Sequence, residues 1–273
     1  MLADPILPAL VTFVFFALVM GPLERLFPRR AQPILRVEWW TDLAFFAGQQ
    51  LVWRAVALAL LGALGHVFDD HLPVAMRAEV AALDPIVQAL LAIVLCDLVV
   101  YWGHRLSHRV PLLWRFHRVH HTSPALDWLA AYREHPVDGI YTMVLENLPA
   151  LLLGFRLEAI AGFVMLRGIW AVFIHSNIRL PLGPLKYVLG SPELHHWHHH
   201  TGHGGHRNFA NLMPLMDLVF GTYYAPKHSA PDRLGTDEPL PHRYLAQLVH
   251  PFKVRLRLRR PGYFFSATRR SRN

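Results

Sequence analysis

The sequence predicts an all-α protein: a polytopic membrane helical bundle, with about four spans or three spans plus a hairpin, under a histidine-rich helical cap. Three observations carry this reading. Hydrophobic residues make up 53% of the 273-residue chain and charged residues only 17%, against roughly 25% charged in ordinary soluble domains. Apolar runs near the length of a bilayer crossing recur up to residue 174. The 19 histidines gather mostly beyond the ends of those runs rather than inside them.

The first span covers residues 5–23, close to the ~20 apolar residues that a crossing needs. Its leading residues include Asp4 but no Lys or Arg, and no small-residue cleavage site follows, so a retained span is expected rather than a signal peptide. A second span covers 43–64. Gln49, Gln50 and Arg54 interrupt it and must face other helices or the interface. Taken alone, that segment reads equally well as a buried soluble helix. A polar turn with His66, Asp69, Asp70 and His71 follows, then a short interfacial helix over 77–82. The third span, 85–102, is apolar apart from Gln88 and Asp97 and runs directly into the first histidines. Two shorter apolar pieces, 140–155 and 160–174, have only Arg156, Leu157 and Glu158 between them. Neither spans comfortably alone, and the pair predicts a tight helical hairpin that dips into the membrane or crosses it at a tilt. From Arg179 onward Pro, Gly and His dominate, as in a soluble cap. Residues 261–273 read as a basic, disordered tail. With no internal repeat or long linker, 1–260 reads as one domain.

Charge sets the expected orientation. An N-terminus outside the cytoplasm puts Arg25, Arg29, Arg30 and Arg36 inside, together with both histidine clusters and the basic C-terminus. The turn carrying Asp69, Asp70 and Asp84 then falls outside. The net charge of +8 lies largely at span ends and in the tail, which suits anionic lipid headgroups better than nucleic acid. No RNA-binding or helix-turn-helix signature accompanies it. Cys96 is the only cysteine, which excludes an intrachain disulfide.

The chemistry lies in three histidine sets. His104 and His108 are four apart; His117, His120 and His121 are spaced i, i+3, i+4; His195, His198 and His199 repeat that spacing. On helices each set would converge on one spot. Pro111 breaks the helix between the first two sets and lets the second turn back on the first. Eight imidazoles suit two transition-metal ions better than one. A lone HxxxH is usually a pair of solvated or core histidines, but three sets in one chain, interleaved with Trp102, Trp114 and Phe116, argue against that and against a low-complexity metal-storage tract. No HExxH zinc-protease motif is present. Two other classes stay open from the residues alone. One is a membrane zinc hydrolase, although eight histidines exceed the three ligands usual at catalytic zinc. The other is a metal transporter, which would place histidines within the spans.

The order HRLSH, HRVHH, HHWHH resembles the fatty acid hydroxylase and sterol desaturase superfamily, with further matches at Arg133, His135 and Pro136 (REHP), His175 to Asn177 (HSN), Asn208, Asp217 and Phe220 to Tyr223 (FGTY). The likeness covers residues 97–251, is greatest to bacterial sterol-desaturase-like members, and has a box spacing similar to that of alkylglycerol monooxygenase. It implies a membrane non-haem di-iron oxygenase that hydroxylates or desaturates a lipid with O2 and external electrons, in a bacterial inner membrane with a cytoplasmic active site. It implies two iron ions, with zinc replacing iron on overexpression, held by His104, His108, His117, His120, His121, His195, His198 and His199. His175 is a ninth candidate ligand, or else a donor to the ligands. His135, Asn177, Asn208, Asp97 and Arg133 are expected to hold the ligands through hydrogen bonds, with His135 paired to Asp138 or Glu134. The frame His196, His199, His200 has the same spacing as the preferred last box. Asp97, Asp127, Glu134 and Glu193 are candidates to offset the metals' charge. His203 and His206, in a glycine-rich loop, are expected at the surface. Without a nucleotide, flavin or haem motif, electrons are expected from a ferredoxin or cytochrome with its reductase.

Overall fold

The computed structural model describes residues 4–202, 206–226, 230–237 and 240–253, apart from the side chains at 69, 70 and 157. The expected tail over 261–273 and the position of His203 therefore lie outside the described residues. Among the described residues the ordered elements are helical, with only two isolated β-bridges, one of which ties Pro28 to Ile178.

Helix α1 (Ile6–Leu26) is apolar along most of its length and leaves Leu7, Leu10, Val11 and Leu18 exposed, as a helix facing lipid does. Its last turn meets the cap, where the Glu24 carboxylate accepts from the Trp128 and Asn177 amides at 2.8 and 2.9 Å. Helices α2 (Trp39–Gly48) and α3 (Arg54–His71) form one rod. A π-helical turn, Gln49–Trp53, joins them. The interruption expected from Gln49, Gln50 and Arg54 is thus a bulge in a continuous helix, longer at both ends than the 43–64 read from hydropathy. The extra residue in that turn aims Gln49 at the cap, where it donates to Tyr132 O at 3.1 Å and to Glu134 at 3.3 Å.

Short α4 (Val74–Ala81) precedes α5 (Pro85–Arg109), which starts cleanly because Asp84 accepts from Ile86 N and Pro85 occupies the first turn. The expected hairpin is α7 (Pro136–Leu153) and α8 (Leu157–His175), turned at Gly154, whose φ of 71° lies in the left-handed region. Buried Gln88 of α5 accepts from Arg156 N at 3.0 Å, so the hairpin turn packs at the end of the bundle away from the cap. α5 lies against α7 and α8. The approach is close at Gly103, where a Cβ would stand 2.0 Å from Leu145 Cδ1. Among the described residues, four helices are long and apolar enough to cross a membrane: Ile6–Leu26, Trp39–Phe68, Pro85–Arg109 and Glu158–His175. The cap holds α6 (Pro111–His117), α9 (Pro192–His198), α10 (Leu215–Val219) and α11 (Tyr244–Lys253).

A buried ion network fastens cap to bundle. Arg36 reaches Asp42 of α2 at 2.6 Å and also pairs with Asp127, while Arg133 pairs with Asp42 and Glu38. Buried pairs of this kind add little net stability but penalise any arrangement that leaves one charge alone. The apolar contact between the same layers comes from Phe16, Met20, Phe46, Trp128 and Val172.

Candidate metal centre

The cap-facing ends of α5 and α8 and the loops above them bring nine histidines together in two groups. One contains His104, His108, His117, His121 and His198; the other contains His120, His175, His195 and His199. In each group the candidate ligand atoms all lie within 4.8 Å of one another. His104 and His108 occupy one face of the last turns of α5. The chain then breaks, with Val110 extended and Pro111 opening α6, and α6 carries His117 back over α5. His120 and His121 follow in a 3-10 turn, His120–Thr122. α9, capped by Ser191, supplies the last three.

This arrangement corrects the expectation that each box converges on one spot. In both HxxHH boxes the i and i+4 histidines share a group, while the i+3 histidine turns to the other. His120 thus joins His195 and His199, and His198 joins His117 and His121. At 100° per residue, i+3 and i+4 diverge by about 100° around a helix, so a box lying between two ions serves both. The boxes interlock, and neither group is complete without the other box.

The histidines in each group present Nε2 atoms to one another. In the first group His117 Nε2 lies 3.1 Å from His108 Nε2 and 3.3 Å from His121 Nε2. In the second, His175 Nε2 lies 3.0 Å from His120 Nε2 and 2.8 Å from His195 Nε2, and His199 Nε2 lies 3.0 Å from His195 Nε2. Five of the rings are oriented through Nδ1. His104 donates to Phe209 O, His120 to Arg133 O, His175 to Ala171 O, His198 to Arg207 O, and His117 to the Asp138 carboxylate at 2.9 Å. A proton on Nδ1 leaves a lone pair on Nε2. Burial, and then the neighbouring imidazoles, hold His120, His121, His195, His198 and His199 well below the usual histidine range, so these rings are neutral. Between His120 and His175, both protonated on Nδ1, lone pairs face each other at 3.0 Å and repel unless a cation sits between them. That spacing is also what cis ligands at ~2.0–2.1 Å from a metal ion give. The donor set therefore fits metal ions, and all-imidazole ligation suits the transition metals.

Outside the two groups, the remaining candidates have other partners. His196 donates to Ser176 O at 3.0 Å, and His200 meets Asp232 at 2.7 Å. His206 is exposed, with its ring against His108 and Trp114, and His66 and His71 are exposed on α3. His135 does not pair with Asp138 or Glu134. It caps α7, donates to Leu248 O at 3.0 Å and packs on Phe116 and Phe252. Asp138 is instead taken by His117, a pairing that the sequence did not signal. Asn177 ties the connector after α1 through two hydrogen bonds with Arg30. Arg133 orients His120 through its carbonyl. Asp97 accepts from Leu212 N and Met213 N, Asp217 from Phe209 N and Ala210 N, and Asn208, with a φ of 53°, binds Leu194 O and Tyr224. Together these three hold the loop whose carbonyls at 207 and 209 orient His198 and His104. Asp127 is engaged with Arg36 and with the 3-10 turn Trp128–Tyr132.

A cavity of about 150 Å3 adjoins both groups, between α5, α7 and α8, with Glu134, Tyr141 and Thr142 in its wall. The fold and site define a class: an integral membrane protein whose histidines, buried at one end of the spans, can hold metal. Residues 89–222 match the fatty acid hydroxylase family, an iron-dependent family. The chain is similar to the ornithine lipid hydroxylase OlsE of Rhizobium tropici, at 28% identity over 72% of this chain and 56% of that protein. It is also similar to alkylglycerol monooxygenase of Danio rerio, at 31% over 36% of this chain and 22% of that protein. A third relative is the very-long-chain aldehyde decarbonylase GL1-8 of Oryza sativa subsp. indica, at 29% over 50% of this chain and 51% of that protein. The chain thus spans about half, or less, of the length of these relatives. No solved structure matches it.

Proposed function

We propose that this chain is a di-iron lipid hydroxylase of the membrane, with one ion held by His104, His108, His117, His121 and His198 and the other by His120, His175, His195 and His199. The observation that carries the reading is the pair of interlocked imidazole groups opening on one shared cavity. Iron bound there would supply, once reduced, the O2 activation that oxidation of an unactivated C–H bond requires. The chain's residues contribute placement and exclusion. Carbonyls at 133, 171, 207 and 209 and the Asp138 carboxylate aim the rings, and burial keeps water from the ligands. His196 and His200 stay outside the ligand set, and the roles of Arg133, Asp97 and Asn208 are to hold the segments that carry those carbonyls.

Hydroxylation is favoured over desaturation because two of the relatives are named as a hydroxylase and a monooxygenase. An ornithine lipid or another polar lipid is the substrate we put first. A zinc hydrolase draws less support, since five and four imidazoles exceed its usual three protein ligands. So does a transporter, since the groups lie at one end of the spans. Electrons come from a ferredoxin- or cytochrome-type donor with its reductase. The cap, the arginines after α1 and the C-terminus face the cytoplasm of a bacterial inner membrane, and the chain forms one domain around a histidine core at 97–251.

Lipid profiles of cells with and without the protein test the activity. A lipid gaining one oxygen atom only in expressing cells is the expected result, and loss of two hydrogens would make it a desaturase. An unchanged profile, with the metals present and a donor supplied, counts against both.

A further inference from the structure

The cavity against the two groups decides which part of a lipid is oxidised, because the reacting carbon must lie in it. At about 150 Å3 it is well below the roughly 300–1,000 Å3 of sites that enclose a drug-sized molecule, so it takes a portion of a lipid. Its wall is mixed: beside the histidines, Val100, Leu145 and Ala171 lie among Glu134, Tyr141 and Thr142. It also lies at the cap end of the spans, the level at which headgroups sit.

Its carboxylates differ in what they already bind. Glu146 is paired with Arg167 at 3.0 Å, and nearby Asp138 is taken by His117. Glu134 meets only neutral donors, Gln49 at 3.3 Å and the Thr142 hydroxyl. Burial, and then Asp138 and Glu146, push its carboxyl well above the ordinary range. Gly139 leaves it room, since a Cβ there would stand 2.9 Å from Glu134 Oε2. Among the described residues, Glu134 is the carboxylate on this cavity without a cationic partner, and a cation entering the cavity would supply one.

Resting on the lipid-oxygenase reading above, we infer that the substrate enters headgroup first. An ammonium-bearing headgroup occupies this cavity and donates to Glu134, so oxidation falls on the headgroup or the carbon beside it. The reaction balances as one oxygen atom of O2 inserted into a C–H bond and the other released as water, with two electrons from the external donor and two protons from solvent.

The test separates binding from turnover. Zinc-loaded full-length protein in nanodiscs, unable to turn over, is offered phosphatidylethanolamine, phosphatidylcholine and phosphatidic acid with identical acyl chains, and retained lipid is read by native mass spectrometry. Phosphatidylethanolamine should be retained about tenfold or more over phosphatidic acid, the scale of a hydrogen bond to a charged group. Glu134→Gln should erase that preference and Glu134→Asp should keep part of it. Equal retention of the three lipids by the wild type, which needs no variant to fold, would overturn the inference. So would loss of zinc from Glu134→Gln, which would make Glu134 a balancing charge for the metals. In iron-loaded protein with a donor, fragmentation should place the new oxygen in the headgroup half, and oxygen in mid-chain would overturn the inference. Failure of every lipid to be oxidised would count against the oxygenase reading instead, leaving the binding result to judge Glu134.

Discussion

His120 and His121 are neighbours in the chain, yet their rings stand at 87° to each other and turn into different histidine groups. The 3-10 turn that carries them makes one box serve two sites. Single substitutions in a box should therefore have separable effects on metal content and a common effect on catalysis. His120→Ala and His121→Ala should each bind fewer than two metal ions per chain, by elemental analysis, and each should lose product formation. Both should still insert, because each change removes a ligand and not a span. His66→Ala and His203→Ala serve as controls expected to keep activity. Full turnover in His198→Ala would be incompatible with the proposed site.

The last box has two frames of equal spacing, and burial does not choose between them, since His195 and His196 are both buried. Their partners differ: His195 Nε2 faces His175 and His199, while His196 Nε2 donates to Ser176 O. His195→Ala should be inactive. His196→Ala should remain active and lose about 1 kcal/mol of stability with its hydrogen bond. An active His195→Ala beside an inactive His196→Ala would move the frame.

Asp138 fixes the His117 ring through Nδ1 and makes its Nε2 a stronger donor. Asp138→Asn should lower metal affinity about 10–100-fold, as loss of a ligand's supporting partner generally does. A competition titration with a chelator measures this, and circular dichroism should show the helices intact. Affinity equal to the wild type's would show that the carboxylate contributes nothing to the site.

Acid should loosen the protein in a defined direction. The folded chain holds His121, His195 and His199 neutral, well below their ordinary range, chiefly through burial. The unfolded chain takes up protons on those rings below about pH 6.5. Stability from this source is therefore complete above that pH and falls as the pH drops below it. Bound metal competes with the same protons. Melting temperatures measured from about pH 8 to about pH 5 should decline below about pH 6.5, and chelated protein should melt lower at the high end of the range. A flat profile would contradict the burial of these rings in neutral form.

Orientation is testable with a reporter joined to Asn273. One active only in the cytoplasm should give signal, because Arg25 lies in the last turn of α1, Arg29, Arg30 and Arg36 follow it, and the positive-inside rule places them there. Glu24, Asn177 and Trp128 join that same end of α1 to the histidine cap. Signal from a reporter active only outside would invert the arrangement.

Much of this was legible in the sequence because it depends on local composition and spacing. Hydropathy alone marks α1 and α5, and Pro111 marks the break that folds the second histidine set over the first. The His104/His108 pairing needs only the pitch of a helix. Spacing could not divide nine histidines between two groups. That division depends on where α9 and the end of α8 sit relative to α5, and on the 3-10 turn that separates His120 from His121. Nor could it find the hydrogen bonds that aim the rings. Carbonyls at 133, 171, 207 and 209 belong to residues of no particular type, and Asp138 reaches His117 only because α7 starts beside α6. Glu134 reads as one more charge near a box until the packing of α5, α7 and α8 leaves a cavity beside it and gives its neighbours to His117 and Arg167. The sequence by itself determined the helices, the membrane character and the ligand types, since those follow from side-chain chemistry and periodicity. Tertiary structure alone decided which imidazoles face one another and which carboxylate is left without a cationic partner, because both are contacts between segments far apart in the chain.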